Sequence, residues 1–181
     1  MRKTLLIALL LVSTQVWAQK NTSQSYIEKF KDNAISIMHV TGIPASIILA
    51  IAMHESGNGN SAIAKDLNNQ FGMKGYSRIT YRKNSKKVST FYKHYDSVMD
   101  SFQDFARVMT ERKKFSHLAE SLSQTDYKAW VHGIQRAGYA SSHKWASQVL
   151  AIINKYQLNS FDVNPEADAQ INIAMANKDQ E

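Results

Sequence analysis

No cysteine occurs among the 181 residues, so the chain has neither a disulfide nor a thiol for lipid attachment, and its stability rests on core packing alone. The apolar run from Leu5 to Val12 is too short to cross a bilayer as a stop-transfer helix. Framed by Arg2 and Lys3 before it and by Val16-Trp17-Ala18 after it, that run has the pattern of a secretory signal peptide cut after Ala18. Residues 1–18 are therefore expected to direct export, to the periplasm or out of the cell; an uncleaved membrane anchor is the alternative reading. The residues beyond Ala18 have room for one domain with a real core and not for two. No internal repeat is present.

Acids are in short supply, 15 against 22 lysines and arginines, for a net charge of +7. Asp162, Glu166, Asp168, Asp179 and Glu181 all fall late in the chain beside Lys178 alone, so residues 19–161 are more basic than the total implies. Residues 162–181 read as a polar, acidic tail with no convincing core face. A basic domain attracts polyanions. With an export signal these are wall polymers and membrane surfaces, which argues against nucleic acid as a partner.

Helical periodicity is clear at several places. Tyr26, Ile27, Phe30, Ala34, Ile37 and Met38 recur at three- and four-residue steps. Thr41-Gly42-Ile43-Pro44 interrupts them, and Pro44 suits the first position of a second helix running to about Glu55, ended by Gly57 and Gly59. A short helical patch over Ser61–Leu67 precedes the turn-prone segment 68–75. Ser77 to Tyr95 is rich in β-formers around a basic Lys83–Lys87 stretch, which predicts a hairpin. Val98, Met99, Phe102, Phe105, Ala106 and Met109 mark another helix, and two more are expected near 126–137 and 144–156. The sum is an α+β domain, predominantly helical, with one small β-hairpin lobe.

Several chemistries lack their residues. His54-Glu55 begins a zinc-protease pattern, but the second histidine position is Asn58. His39, His94, His117, His132 and His143 form no ligand cluster in sequence, so neither metal nor other cofactor is expected. No Gly-x-Ser-x-Gly elbow marks a serine nucleophile. One carboxylate does stand out. Glu55 follows Ile51 by four residues, Ile48 by seven and Ile47 by eight, which puts it on an apolar stripe at a helix end, where lost solvation keeps a carboxylic acid protonated for glycoside hydrolysis. The bland alternative is a solvated carboxylate at a helix terminus.

Thr41 to Ala50, then Glu55-Ser56-Gly57, then Asn68-Asn69-Gln70-Phe71-Gly72-Met73-Lys74-Gly75 together resemble glycoside hydrolase family 73, the endo-β-N-acetylglucosaminidases of flagellar muramidases and autolysins. The likeness continues through Tyr95-Asp96-Ser97, Phe102-Gln103-Asp104, Asp126 to Trp130 and Ala137-Gly138-Tyr139-Ala140. It spans roughly Tyr26 to Asp162 in the right order. The resemblance implies a lysozyme-like fold, hydrolysis of the β-1,4 bond after N-acetylglucosamine in peptidoglycan, and Glu55 as general acid. It also implies Tyr139 beside the reacting sugar, and Asn69 and Phe71 on the cleft wall as substrate-binding residues. On the residues alone, Tyr139 also reads as a core aromatic, and Asn69 and Phe71 as a turn former and its hydrophobic plug.

Two features depart from the family pattern. Many members carry a second acid in the β lobe, where this chain reads Thr80-Tyr81-Arg82; between Glu55 and Asp96 the only acid is Asp66. After Tyr139-Ala140 stands Ser141-Ser142-His143 in place of the frequent Thr-Asp-Pro. With one carboxylate, substrate assistance by the 2-acetamido group is the expected route. A non-catalytic peptidoglycan-binding or envelope-assembly protein and a lytic transglycosylase are the competing readings. Arg78, Arg82, Lys83, Lys86 and Lys87 read either as a solvated face or as an attractant for stem-peptide carboxylates or anionic lipid. A monomer acting on glycan strands is expected, and an envelope protein partner stays open.

Overall fold

The computed structural model describes residues 20–83 and 85–163; residues 1–18, expected to direct export, and the tail beyond 163 lie outside the described residues. In chain order the elements are α1 (Ser23–Thr41), α2 (Ala45–Ser56), α3 (Ala62–Leu67), β1 (Ser77–Lys83), β2 (Lys86–Tyr92), α4 (Val98–Glu111), α5 (Lys113–Ser121), α6 (Tyr127–Arg136), α7 (Trp145–Tyr156) and a 3-10 turn, Leu158–Phe161. Among these helices none is long and apolar enough to cross a membrane.

The middle of the molecule is α2. Every side chain from Ala45 to Met53 is buried, because α1, α6, α7 and the 3-10 turn pack around it. A helix apolar on all sides is stable only in such a position. Pro44, expected as its first residue, is instead its N-cap, with φ −53° and ψ 136°; an extended ψ starts the helix one residue later. The amphipathic α1 begins at Thr22, whose hydroxyl accepts from the Ser25 amide while Ser25 accepts from the Thr22 amide. Such a reciprocal cap stabilises a helix start by about 1 kcal/mol.

One helix escaped the sequence reading. Between Glu111 and Lys113 the chain bends at Arg112 (φ −76°, ψ 121°), and α5 buries only Phe115 and Leu118. Neither glycine nor proline marks the break, and two apolar anchors are too few to show a period.

Asp162 is the second surprise. Its charge grouped it with the tail, yet it is 3% exposed. Its carboxylate accepts from the Ser46 amide at 2.8 Å and the Ser46 hydroxyl at 2.6 Å, so it supplies the helix-starting acceptor that Pro44 lacks. Burial pushes the Asp162 carboxyl up to about 6, against the pull of the Ser46 and Ala45 donors. A folded-state value above the unfolded one means that this group stabilises the fold most below the ordinary carboxylate range, and that the contribution is lost as pH rises through about 6. In Asp162→Asn, the gap between melting temperatures at pH 4.5 and pH 7.5 should narrow by about 5 °C relative to the unsubstituted protein. Asp162→Ala, which strands two donors, should cost about 2 kcal/mol in the acid range and less as pH rises through about 6.

The hairpin pairs antiparallel with Arg78 opposite Phe91, Thr80 opposite Ser89 and Arg82 opposite Lys87. Those six side chains share one face, and all are exposed. The other face carries Ile79, buried, with Tyr81, Val88, Thr90 and Tyr92 half-buried. Past β2 the chain is stitched to the 67–73 segment: the Lys93 amide donates to the Met73 carbonyl and the Tyr95 amide to that of Leu67. Asp104 of α4 locks the junction, accepting from Lys93 Nζ and the Tyr95 hydroxyl, each at 2.7 Å, and from Arg107. Burial would raise its carboxyl, but these three donors outweigh it and hold it below the ordinary range.

Candidate active site

An unbroken aromatic run leads from α1 to the concave side of the molecule. Tyr26 touches Phe30, Phe30 stacks on Phe102, and Phe71 meets Phe102 edge-on and Phe105 face-on at 4.3 Å. Tyr139 closes the run, edge-on to Phe105 and 5.4 Å from the Trp145 ring. Each such pair contributes about 1 kcal/mol beyond the area it buries. The result is a rigid backing for a cleft of about 660 Å³.

Glu55 lies on the cleft wall at the last turn of α2, just before the left-handed Gly57 stops the helix. Its Oε1 accepts a 2.8 Å hydrogen bond from the Trp145 indole N–H. Its Oε2 faces Gly72, where a side chain would stand 3.7 Å away. Gly72 has φ +64°, a backbone conformation that L side chains rarely adopt. One carboxylate oxygen is thus held and the other left open to the cleft. No second acid lines the cleft among the described residues. Asp66 is exposed on α3, and Arg82, where an acid was sought, is exposed on the hairpin opposite Lys87.

Tyr139 and Phe71 also line the cleft. The Tyr139 hydroxyl donates to the Phe71 carbonyl at 3.1 Å, which ties the 137–145 loop to the Phe71 turn and leaves the phenol oxygen's lone pairs free. Burial first, then the charge of Glu55, push its pKa well above the ordinary tyrosine value, so it stays a neutral phenol. Phe71 is nearly all buried, in the aromatic run.

Asn69, expected on the cleft wall, is elsewhere. It is 1% exposed; its amide donates to the Met73 and Lys93 carbonyls at 2.9 Å each, and its oxygen accepts from the Met73 amide. With three bonds inside the loop it builds the turn that presents Phe71 and Gly72, and it does not face the cleft.

What the sequence reading missed is Trp145 and the basic rim. Trp145 is 2% exposed and lies 90 positions from Glu55. The only signal for it was general: a buried indole N–H needs an acceptor. Lys74, Lys93, Arg112 and Lys114 line the same cleft from three segments, the last two from the start of α5. Lys74 is fixed by standing 3.7 Å over the Tyr92 ring. Gly75 lets the chain pass Lys93 closely: a Cβ there would come within 2.7 Å of the Lys93 backbone nitrogen. Because backbone cannot yield as a side-chain tip does, Gly75→Ala should destabilise the fold by about 2 kcal/mol in urea unfolding.

The family model for glucosaminidases, described as mannosyl-glycoprotein endo-β-N-acetylglucosaminidase, matches residues 31–158. The chain is 31% identical over 160 residues to the exo-glucosaminidase LytG of Bacillus subtilis, a match covering 78% of this chain and 55% of LytG. It is 23% identical over 154 residues to the peptidoglycan hydrolase FlgJ of Vibrio parahaemolyticus, across 77% of this chain and 49% of that protein. The chain thus spans about half the length of the curated relatives it matches. Its fold follows that of a C-terminally truncated glycoside hydrolase domain from Salmonella typhimurium FlgJ, with a TM-score of 0.60 and 21% identity over 75% of this chain and 98% of that one. Since the matched stretch runs from within α1 past the end of α7 and includes every residue named on the cleft wall, the chain belongs to the glucosaminidase family, glycoside hydrolase family 73.

Proposed function

We propose that the protein is an exported peptidoglycan hydrolase, an endo-β-N-acetylglucosaminidase that uses Glu55 as its acid and the substrate's own acetamido group as nucleophile. The observation that carries this reading is the single carboxylate of the cleft, oriented by Trp145 on one oxygen and open on the other. Relatives named for peptidoglycan support the substrate, a polymer that lies outside the cytoplasmic membrane, and the leader-like residues 1–18 agree with that location.

In the first step the Glu55 carboxyl gives its proton to the glycosidic oxygen. The 2-acetamido oxygen attacks C1, the C1–O bond breaks, and an oxazolinium ion remains with the departing sugar protonated. Tyr139, neutral and with free lone pairs, faces the positive charge that develops. In the second step the Glu55 carboxylate takes a proton from water as that water attacks C1; the ring opens and an N-acetylglucosamine reducing end is released. A protonated acid and a later base are then the same group, so no second carboxylate is required. One chain supplies every residue used, which fits a monomer acting on glycan strands.

Product analysis tests the reading. Mature protein incubated with purified peptidoglycan should produce fragments with new N-acetylglucosamine reducing ends. Anhydromuramic ends would assign a lytic transglycosylase, which also works with one acid. No fragments from folded, strand-binding protein would assign a wall-binding role. The fragment lengths distinguish internal cleavage from the terminal trimming suggested by the name of the Bacillus relative.

A further inference from the structure

A second groove of about 580 Å³ opens beside the catalytic cleft and shares Lys74, Lys93 and Arg112 with it. Tyr76, fully exposed, and His94 line its outer part. No acid lines this groove among the described residues. Lys93 is neutralised by Asp104, whereas neither Lys74 nor Arg112 makes an ion pair among the described residues. Cations gathered in a concavity repel one another, and an anion placed between them relieves that repulsion.

Resting on the peptidoglycan reading, we propose that this groove binds the carboxylates of the stem peptides and so makes the protein prefer peptide-bearing strands over bare glycan. The chemistry selects the ligand. N-acetylglucosamine carries no charge, and the lactyl group of muramic acid is consumed in the bond to the peptide, so the anionic groups of an intact strand are those of its stem peptides. The position agrees, since a groove sharing a wall with the cleft receives a branch from a sugar bound next to Glu55. The shape of the groove is fixed as well: Lys74 is pinned over Tyr92, and Lys93 is held by Asp104 while its backbone abuts Gly75. Tyr76 offers an aromatic surface at the mouth for the peptide's aliphatic portion.

The test is binding by the Glu55→Gln protein, which removes turnover from the measurement. Two ligands are compared: soluble strands bearing stem peptides, and the same strands with their stem-peptide carboxylates converted to carboxamides, which leaves the lactyl amide bond intact and the strand uncharged. Strands with free stem-peptide carboxylates should bind on the order of tenfold more tightly, as two solvent-facing ion pairs supply, and the preference should shrink as salt rises. Adding Lys74→Gln and Arg112→Gln should bring the two dissociation constants together. Equal affinity for both ligands, or a preference that survives the double substitution, overturns the proposal. So would vesicles containing anionic phospholipid losing their binding in that variant while strand binding stays the same, since the groove would then serve a lipid surface. Failure of the hydrolase reading shows separately, as absence of cleavage by the unsubstituted protein.

Discussion

Glu55→Gln should lower the release of reducing ends from purified peptidoglycan by at least about 10³-fold, with the melting temperature nearly unchanged. The reason is geometric. Glutamine keeps an acceptor for the Trp145 indole N–H and the volume of the side chain, so the end of α2 has no cause to move. Only the transferable proton is lost, and in a cleft with no other acid among the described residues no neighbour can replace it. A variant retaining a tenth of the activity would remove Glu55 from the mechanism.

Trp145→Phe should reduce kcat by roughly 10- to 100-fold while moving KM less, because it frees the carboxyl to rotate away from the reacting oxygen while an aromatic ring stays in a cleft-lining position that is 2% exposed. The same change should destabilise the fold by about 2 kcal/mol, since it leaves a gap beside Tyr139 in a side chain that is 2% exposed. A purely structural tryptophan would show the stability loss with kcat intact. A rate measured well below the melting transition therefore separates the two roles. Asp104, by contrast, contributes chiefly at neutral pH: with its carboxyl held low by Lys93, Tyr95 and Arg107, its contribution is present above the ordinary carboxylate range and is lost as acid is added.

Most helices were legible because their apolar residues keep a helical period; α2 is apolar on all sides, and Glu55 was legible as the carboxylate at the end of that apolar run. The hairpin was legible from its β-branched and aromatic residues, and its basic character is carried on one exposed face by Arg78, Arg82 and Lys87. Less visible were the partnerships that only a tertiary structure creates. Trp145 meets Glu55 across 90 positions, and Asp162 meets Ser46 across 116; no local pattern encodes either. Asn69 shows the opposite limit. Its residue type suits a sugar-binding group and a turn former equally, and only the count of its internal bonds decides where its amide goes. The four cations of the rim come from three separate segments, so their convergence could not be read from any one of them.

The clasp between Asp162 and Ser46 also governs where cargo can be attached. The chain reaches Val163 beside the start of α2, whereas Glu55 stands at the far end of the same helix, nine residues on from Ser46, or roughly 14 Å along the axis. A tether spliced in after Val163 therefore starts beside the end of α2 remote from Glu55, whereas one spliced in before Asp162 would break the contact that caps that helix.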